Sequence, residues 1–140
     1  MTESRSRGAL TILVVEDEAV VRNAIMNCLV REDYRVLEAD SAAEALEVSQ
    51  TFPGTIDLLI ADHTLKTMTG RQVAEQIQQA RPGLKVLHIF GHSAEKLQRD
   101  GGLMPGAGFL AKPFSPKVLV EKVDEMLGKP HDRSASGLSG

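Results

Sequence analysis

Apolar and polar positions along the chain alternate between two kinds of segment. Short runs of apolar, often β-branched residues are typical of strands that are buried on both faces of a sheet. Between these runs lie longer stretches in which apolar residues recur at the spacing of one helix face. The runs predict five strands, at Leu10–Val15, Tyr34–Glu38, Ile56–Ala61, Leu84–Phe90 and Ala107–Ala111.

A predicted helix follows each predicted strand. The second helix opens with Ser41-Ala-Ala-Glu44, a capping-box pattern in which both side chains accept hydrogen bonds from backbone N–H groups. The last helix has Ser115 as its expected N-cap and Pro116 in its first turn. The fourth, from Ser93 to Asp100, is polar and only weakly amphipathic. The other four helices are predicted from the apolar positions Val21, Ile25, Cys28 and Leu29; Ala42, Ala45 and Leu46; Val73 and Ile77; and Leu119, Val123, Met126 and Leu127.

Strands that alternate with helices predict an α/β fold, in which helices cover both faces of a parallel sheet. Residues 1–8 and 129–140 are polar and non-periodic, so we interpret them as disordered tails and expect one domain over residues 9–128. Ligands of such folds bind outside the carboxyl ends of the strands, where the strand order reverses. The residues that directly follow each strand are therefore the candidates for chemistry.

The composition is that of a globular protein and excludes several functional classes. The chain has 140 residues, of which 42% are hydrophobic and 25% charged, and its net charge of −3 gives no electrostatic case for nucleic-acid binding. The single cysteine, Cys28, excludes an internal disulfide and a multi-cysteine zinc site. No apolar run approaches the roughly 20 residues of a membrane span, and the N-terminus lacks the apolar region of a secretory signal. We therefore expect a cytoplasmic protein without membrane contact.

Three segments, in order along the chain, resemble the receiver domain of two-component response regulators, the CheY-like domain. They are LTILVVEDE at 10–18, DLLIADHTLKTMTG at 57–70 and GFLAKPF at 108–114, and the resemblance covers about residues 9–128. The segment from Gly101 to Phe114 is also similar to the C-terminal receivers of hybrid histidine kinases. The resemblance implies a flavodoxin-like doubly wound sheet with strand order 2-1-3-4-5.

Acidic residues follow two strands that are neighbours in such a sheet. Glu16 and Asp17 follow the first strand and Asp62 follows the third, so the three carboxylates are expected within a few ångströms of one another. Two unit charges 4 Å apart repel by about 4 kcal/mol at an effective dielectric constant of 20. A bound divalent cation removes this repulsion, and oxygen ligands without cysteine or histidine favour Mg²⁺. Together with Lys112, Mg²⁺ would make the pocket neutral and able to receive a phosphoryl group.

The resemblance assigns a role to each of these residues. It implies that Asp62 accepts a phosphoryl group from the phosphohistidine of a sensor histidine kinase or a histidine phosphotransfer domain, without being a turnover enzyme. Asp17 and Asp62 would bind Mg²⁺ directly, Glu16 through water, and Thr64 through its backbone carbonyl. Lys112 would reach the phosphoryl oxygens from the end of strand five, and its peptide bond to Pro113 is expected to be cis.

The resemblance also implies how the protein signals. The fourth predicted helix, the fifth strand and the last helix would form the output face and a possible homodimer contact. After Gly128 only a polar tail of about a dozen residues follows, so we expect the output to act by contact with another protein.

The sequence departs from the family pattern most clearly at Phe90, where receivers carry Ser or Thr. Its ring, expected beside Asp62, cannot donate the hydrogen bond that couples phosphorylation to an inward movement of the aromatic residue of strand five, here Phe109. Gly91 keeps the small residue that usually follows and leaves access for a phosphodonor. Milder departures are Lys66 in place of Pro and Thr69 in place of an acidic residue or Asn before Gly70. We expect Asp62 to be phosphorylated but the switch to be altered.

Other functions fit parts of the same pattern. A pseudo-receiver, a binding module that does not use phosphorylation, is favoured by Phe90 and disfavoured by the complete acid and lysine set. An aspartyl-phosphate phosphatase of the haloacid dehalogenase type needs a second Asp where this chain has Thr64. His63 and His92 leave open a metal site that contains histidine, whereas His88 is expected to be a packed residue.

Overall fold

Five parallel strands form a single sheet in the computed structural model, which describes residues 9–91 and 104–128. The order across the sheet is β2-β1-β3-β4-β5, as the resemblance implies. The strands are β1 (Thr11–Val15), β2 (Arg35–Ala39), β3 (Leu58–Asp62), β4 (Lys85–Phe90) and β5 (Gly108–Ala111).

Within the described residues, three helices connect consecutive strands and a fourth follows β5. They are α1 (Ala19–Arg31), α2 (Ala42–Thr51), α3 (Gly70–Ala80) and α4 (Pro116–Leu127). The helix expected from Ser93 to Asp100 and the two tails, 1–8 and 129–140, lie outside the described residues. In the described part of the chain, no helix has the length and apolar character needed to cross a bilayer.

Each face of the sheet carries its own apolar core. Helices α2 and α3 cover one face, where Leu13, Leu59 and Val73 are among the fully buried residues. Helices α1 and α4 cover the other face, where Ile25 and Leu119 are fully buried and Cys28 is half-buried. Every residue of β1 and β3 is buried, which explains why both strands read as continuous apolar runs.

The observed strand limits differ from the predicted ones by one or two residues. The most informative difference is at Asp62, which we expected after strand three and which is instead its last residue, paired with Ile89 of β4. Hydrophobic periodicity ends at Ala61 because Asp62 is charged, whereas strand pairing continues for one more residue. The backbone of Asp62 is therefore held by the sheet itself and not by a loop.

The two predicted N-caps, Ser41 and Ser115, are both present, but the reciprocal capping box is not at the predicted helix. Ser115 caps α4 as expected, and Pro116 occupies its first turn. Ser41 caps α2, but the Glu44 carboxylate accepts from the backbone N–H of Asp40, one residue before the expected donor. The reciprocal capping box lies instead at α3, between Thr69 and Gln72. Thr69, which we treated as a departure from the family pattern, therefore has a structural role.

Candidate functional site

Three acidic side chains meet at the carboxyl edge of the two central strands. Glu16 and Asp17 follow β1, and Asp62 ends β3, which lies directly beside β1. One carboxylate oxygen from each residue lies within 4.8 Å of the other two. The sequence-based expectation that these acids converge is thus confirmed as geometry.

Lys112 lies at the centre of this acidic cluster. It follows β5, and its Nζ is 3.1 Å from Oδ2 of Asp62, 3.3 Å from Oε1 of Glu16 and 3.6 Å from Oε1 of Glu18. The lysine reaches across β4, since β3 and β5 are separated by one strand. Its peptide bond to Pro113 is cis, as expected. Glu18 was not singled out by sequence reasoning, although it belongs to the same acidic triplet.

Burial shapes the electrostatics of this cluster. Glu16 is only 1% exposed, and burial, together with the nearby charge of Asp62, raises its pKa to about 7. Its Oε2 accepts from the backbone N–H of Glu18, while Oε1 has no hydrogen-bond partner among the described residues and faces the Lys112 ammonium. Burial acts to lower the pKa of Lys112, but its hydrogen bond to Asp62 and the charges of Asp62 and Glu16 outweigh this and raise it.

The loop after Asp62 is held by backbone contacts. The N–H of Thr64 donates to Oδ1 of Asp62 at 2.9 Å, which orients the carboxylate. Thr64 then pairs with Thr69 in an antiparallel bridge, and the N–H of Gly70 donates to the carbonyl of His63. A Cβ on Gly70 would lie 2.4 Å from the Asp62 carbonyl oxygen, so only glycine allows this approach. Gly70 therefore serves the backbone geometry between β3 and α3.

Arg22 supports the acidic segment after β1 and was not identified from the sequence. Its Nη1 donates to the backbone carbonyl of Glu16 at 2.8 Å, and its Nε donates to Glu38 of β2 at 3.2 Å. The guanidinium thus fixes the backbone at Glu16 without contacting its carboxylate. An arginine one helical turn after an acidic segment is too common a pattern to carry this signal alone.

The acidic cluster opens into a polar cavity of about 460 Å³. Of the site residues expected from the sequence, Asp17, Asp62, Thr64 and Lys112 line it, whereas Glu16 is buried and is not part of the lining. Among the residues that the structure describes, the cavity is lined by Asp17, Glu18, Asp62, Thr64, Lys66, Gly91 and Lys112.

Phe90, the expected switch residue at the end of β4, forms an aromatic contact with β5. Its ring contacts that of Phe109, with ring centroids 5.9 Å apart and planes tilted by 42°. Phe90 is not among the described residues that line the cavity. Phe90 and Phe109 are diagonal neighbours on one face of β4 and β5, because Phe90 pairs with Ala111 and His88 with Phe109. The Phe109 side of this pair is 51% exposed.

The histidines do not build a metal site within the described residues. His63 is 2% exposed and packs edge-on against His88, which is fully buried as expected for a packed residue. His63 is absent from the acidic metal-binding cluster of the described residues, and His92 lies outside them. Burial lowers the pKa of His88 to about 4, helped by the nearby His63 and Arg71.

The donor set of the cluster fits a hard divalent cation. Three carboxylates supply only oxygen ligands, and the buried Oε1 of Glu16 has no hydrogen bond to a described residue. Mg²⁺ prefers such oxygen ligands and retains several waters, for which the open cavity has room. Receiver domains bind Mg²⁺ at an acidic pocket of this kind.

Comparison with known proteins gives one consistent family. Residues 12–124 match the response regulator receiver domain. The chain is 34% identical to the sensor kinase CckA of Brucella abortus (strain 2308) over 122 residues, which are 87% of this chain but 13% of CckA. It is 32% identical to the response regulator receiver protein CpdR of the same organism over 116 residues, 83% of this chain and 95% of CpdR.

A solved structure agrees with these relatives. The receiver domain of the hybrid histidine kinase CckA superposes with a TM-score of 0.70 at 33% identity and covers 84% of this chain and 98% of that domain. The match to CckA bears out the similarity to receivers of hybrid kinases, although the chain spans only a small part of that kinase's length. The strand order, the acidic pocket and these matches agree, and the chain belongs to the receiver-domain family of two-component response regulators.

Proposed function

We propose that Asp62 accepts a phosphoryl group from the phosphohistidine of a sensor histidine kinase or a histidine phosphotransfer domain. The observation that carries this proposal is the position of Lys112, whose ammonium lies 3.1 Å from Asp62 and 3.3 Å from Glu16. A buried acceptor carboxylate needs a cation that can also neutralise the negative charge of the incoming phosphoryl oxygens. Among the residues that the structure describes, Lys112 is the lysine whose ammonium group contacts Asp62.

The transfer requires little covalent chemistry from the protein. One carboxylate oxygen of Asp62 attacks phosphorus, the P–N bond to the donor imidazole breaks, and the bonding electrons leave with the imidazole nitrogen. The N–H of Thr64 holds Oδ1 and Lys112 holds Oδ2, so the carboxylate cannot rotate freely. Catalysis then consists of positioning and charge neutralisation, and the chain acts as a phosphoacceptor and not as a turnover enzyme.

The same pocket would hold Mg²⁺ during the transfer. Asp17, Asp62 and the backbone carbonyl of Thr64 would bind it directly, and the buried Glu16 would bind it through water. The cation supplies positive charge against the carboxylates and the transferring group. Arg22, which binds the Glu16 carbonyl, keeps this acidic segment in place.

Intact mass spectrometry tests the proposal. The full chain is incubated with Mg²⁺ and a small acyl phosphate, and then with a purified histidine phosphotransfer domain carrying phosphate. We expect one added phosphoryl group in the wild type and none in Asp62→Asn, whose amide is nearly isosteric but not nucleophilic. Failure of the wild type to gain mass from either donor, in folded protein with Mg²⁺, would contradict the proposal.

A second candidate is a pseudo-receiver that binds partners without phosphorylation. Phe90 favours it, because the end of β4 carries no hydroxyl to stabilise a phosphoryl group. Titration with Mg²⁺, followed by NMR shifts of the Asp17 and Asp62 amides, separates the two functions. A receiver that uses phosphate binds Mg²⁺ at these residues, whereas a pseudo-receiver leaves both resonances unmoved.

The proposed function also includes the domain limits, the switch residues, the output face and the location of the protein. We place the receiver body at residues 9–128, with Phe90 and Phe109 as its altered switch pair. We also propose an output face, a homodimer contact and a cytoplasmic location, which rest on the family resemblance and on no single contact in this chain. Gel filtration of the phosphorylated and unphosphorylated protein tests the homodimer.

A further inference from the structure

We propose that Lys66 is a specificity-determining residue of the phosphodonor cavity. Its ammonium group would attract donors that carry two negative charges and favour them over donors of lower charge. The inference rests on the proposed function, since it concerns the donor that Asp62 reacts with. The family pattern places proline here, so the charge is a property of this chain.

Lys66 lies at the cavity together with the reacting groups. It lines the same cavity of about 460 Å³ as Asp62, Thr64 and Lys112. Lys66 is exposed to solvent. A donor approaching Asp62 must pass through this cavity, because the acceptor is only 6% exposed.

The loop that carries Lys66 is fixed at both ends. The N–H of Thr64 donates to Asp62, and Thr64 pairs with Thr69, so the segment between them forms a closed turn. Leu65, directly before Lys66, is 8% exposed and packs in the core beneath α2 and α3. The backbone of Lys66 is therefore held at a constant position relative to the acceptor.

The charge balance of the cavity explains why a second lysine matters. Four carboxylates, those of Glu16, Asp17, Glu18 and Asp62, surround the site, and Lys112 pairs with three of them. The ammonium of Lys112 is therefore already neutralised before a donor arrives. Lys66 forms no ion pair with any residue that the structure describes, so its charge is available to an incoming anion.

The size of the effect follows from simple electrostatics. A unit charge several ångströms from a dianion at a solvated cavity mouth changes its local concentration by about three- to tenfold at low ionic strength. The effect on a monoanion is correspondingly smaller, and salt screens both. Lys66 should therefore increase the rate with a dianionic donor more than the rate with a monoanionic donor.

The test compares two small phosphodonors on the full chain. Acetyl phosphate is a dianion near neutral pH, whereas phosphoramidate carries a lower net charge. In Lys66→Gln we expect the rate of Asp62 labelling by acetyl phosphate to fall about three- to tenfold at low salt, with a smaller loss for phosphoramidate. Added salt should bring wild type and variant together. Rates are followed by intact mass.

A matched charge removal far from the site gives the control. Lys85 is the first residue of β4, at the end of the sheet opposite to the cavity, and its Nζ donates to the carbonyl of Met126. Lys85→Gln should leave both labelling rates within about twofold of wild type. Equal rates of wild type and Lys66→Gln with acetyl phosphate would overturn the inference. An equal loss with both donors, insensitive to salt, would also overturn it, because the loop would then act through its structure.

A binding measurement separates this inference from the proposed function. Methylphosphonate is a non-transferable dianion at mildly alkaline pH, and its binding is read from NMR shifts of the Thr64 and Gly91 amides. Weaker binding to Lys66→Gln than to wild type supports the inference even if Asp62 is never phosphorylated. Identical binding curves contradict it, whatever the outcome of the labelling.

Discussion

The ammonium nitrogen of Lys112 lies 3.1 Å from Oδ2 of Asp62, which is 50 positions earlier in the chain. The two side chains are 22% and 8% exposed, so water screens their attraction only in part. Glu16, at 3.3 Å from the same nitrogen, is almost fully buried. This cation therefore holds together carboxylates that would otherwise repel one another, and it fixes the position of Asp62, the proposed acceptor.

Lys112→Met should reduce both stability and phosphoryl acceptance. Loss of the cation leaves Asp62 and Glu16 facing each other, and we expect a cost of about 1–2 kcal/mol in the free energy of unfolding. Labelling of Asp62 should slow by about 10²-fold, because the transferred charge loses its partner. Urea unfolding and intact mass measure the two effects. Lys122→Met, which breaks an exposed pair of 3.8 Å with Glu125, should cost less than about 0.5 kcal/mol.

Phe90→Thr should restore a larger response to phosphorylation. A hydroxyl at the end of β4 can donate to the phosphoryl group, and such a bond stabilises the phosphorylated state by about 1.5–3 kcal/mol. We expect larger NMR shifts at Phe109 between the two states than in the wild type. Phe90→Ala removes the ring without adding a donor, so an equal response in both variants would show that the ring, and not the missing hydroxyl, limits the switch.

The free energy of unfolding should decrease as the pH falls, because His88 is buried in its neutral form. Its pKa is about 4 in the folded protein against an ordinary value of 6.5, so the unfolded chain binds a proton first as the pH falls. The stabilisation is complete above the unfolded value and is lost from about pH 6.5 down to about pH 4. The groups that act on the ring are His63, Arg71 and Glu75. Between about pH 7 and about pH 5 the expected loss is about 2 kcal/mol.

Urea midpoints of wild type and His88→Val across this pH range measure the effect. The variant retains the other titrating groups, so the difference between the two slopes isolates His88. Parallel slopes would show that burial of this imidazole is not what makes the fold sensitive to acid.

Gly70→Ala should be costly for a geometric reason. The added Cβ would meet the Asp62 carbonyl oxygen at 2.4 Å, and since both are backbone-anchored, β3 or the start of α3 must move. We expect a loss of about 1–3 kcal/mol, with slower labelling of Asp62. Gly83→Ala is the control, because a Cβ there has no neighbour within 4 Å, and it should change stability by less than about 1 kcal/mol. Similar thermal midpoints for both variants would contradict this account.

The alternation of apolar runs and helical periodicity was enough to predict the layered fold. A strand that is buried on both faces is rich in apolar residues, so β1 and β3 could be located to within one or two residues. The sheet order implied by the family resemblance then placed Asp17 and Asp62 side by side, and Lys112 within reach, because each residue sits at the carboxyl end of its strand. These are consequences of chain order and strand direction.

Details that depend on contacts between distant segments could not be predicted in the same way. Arg22 binds the Glu16 carbonyl and Glu38 only because α1 crosses beside the end of β2, and no spacing in the sequence encodes that crossing. Phe90 packs on Phe109 because the register of β4 with β5 makes the two rings diagonal neighbours on one face of the sheet.

The amino-acid sequence by itself determined which strands form and which charged residues stand at or just after their carboxyl ends. The tertiary structure alone decided how those charges are shared. Whether Lys112 is neutralised by three carboxylates, and whether Lys66 is left with an unpaired charge, depends on side-chain distances of a few ångströms. Electrostatic energies change steeply when charges move by a few ångströms. The burial of apolar side chains that builds the sheet is much less sensitive to shifts of that size.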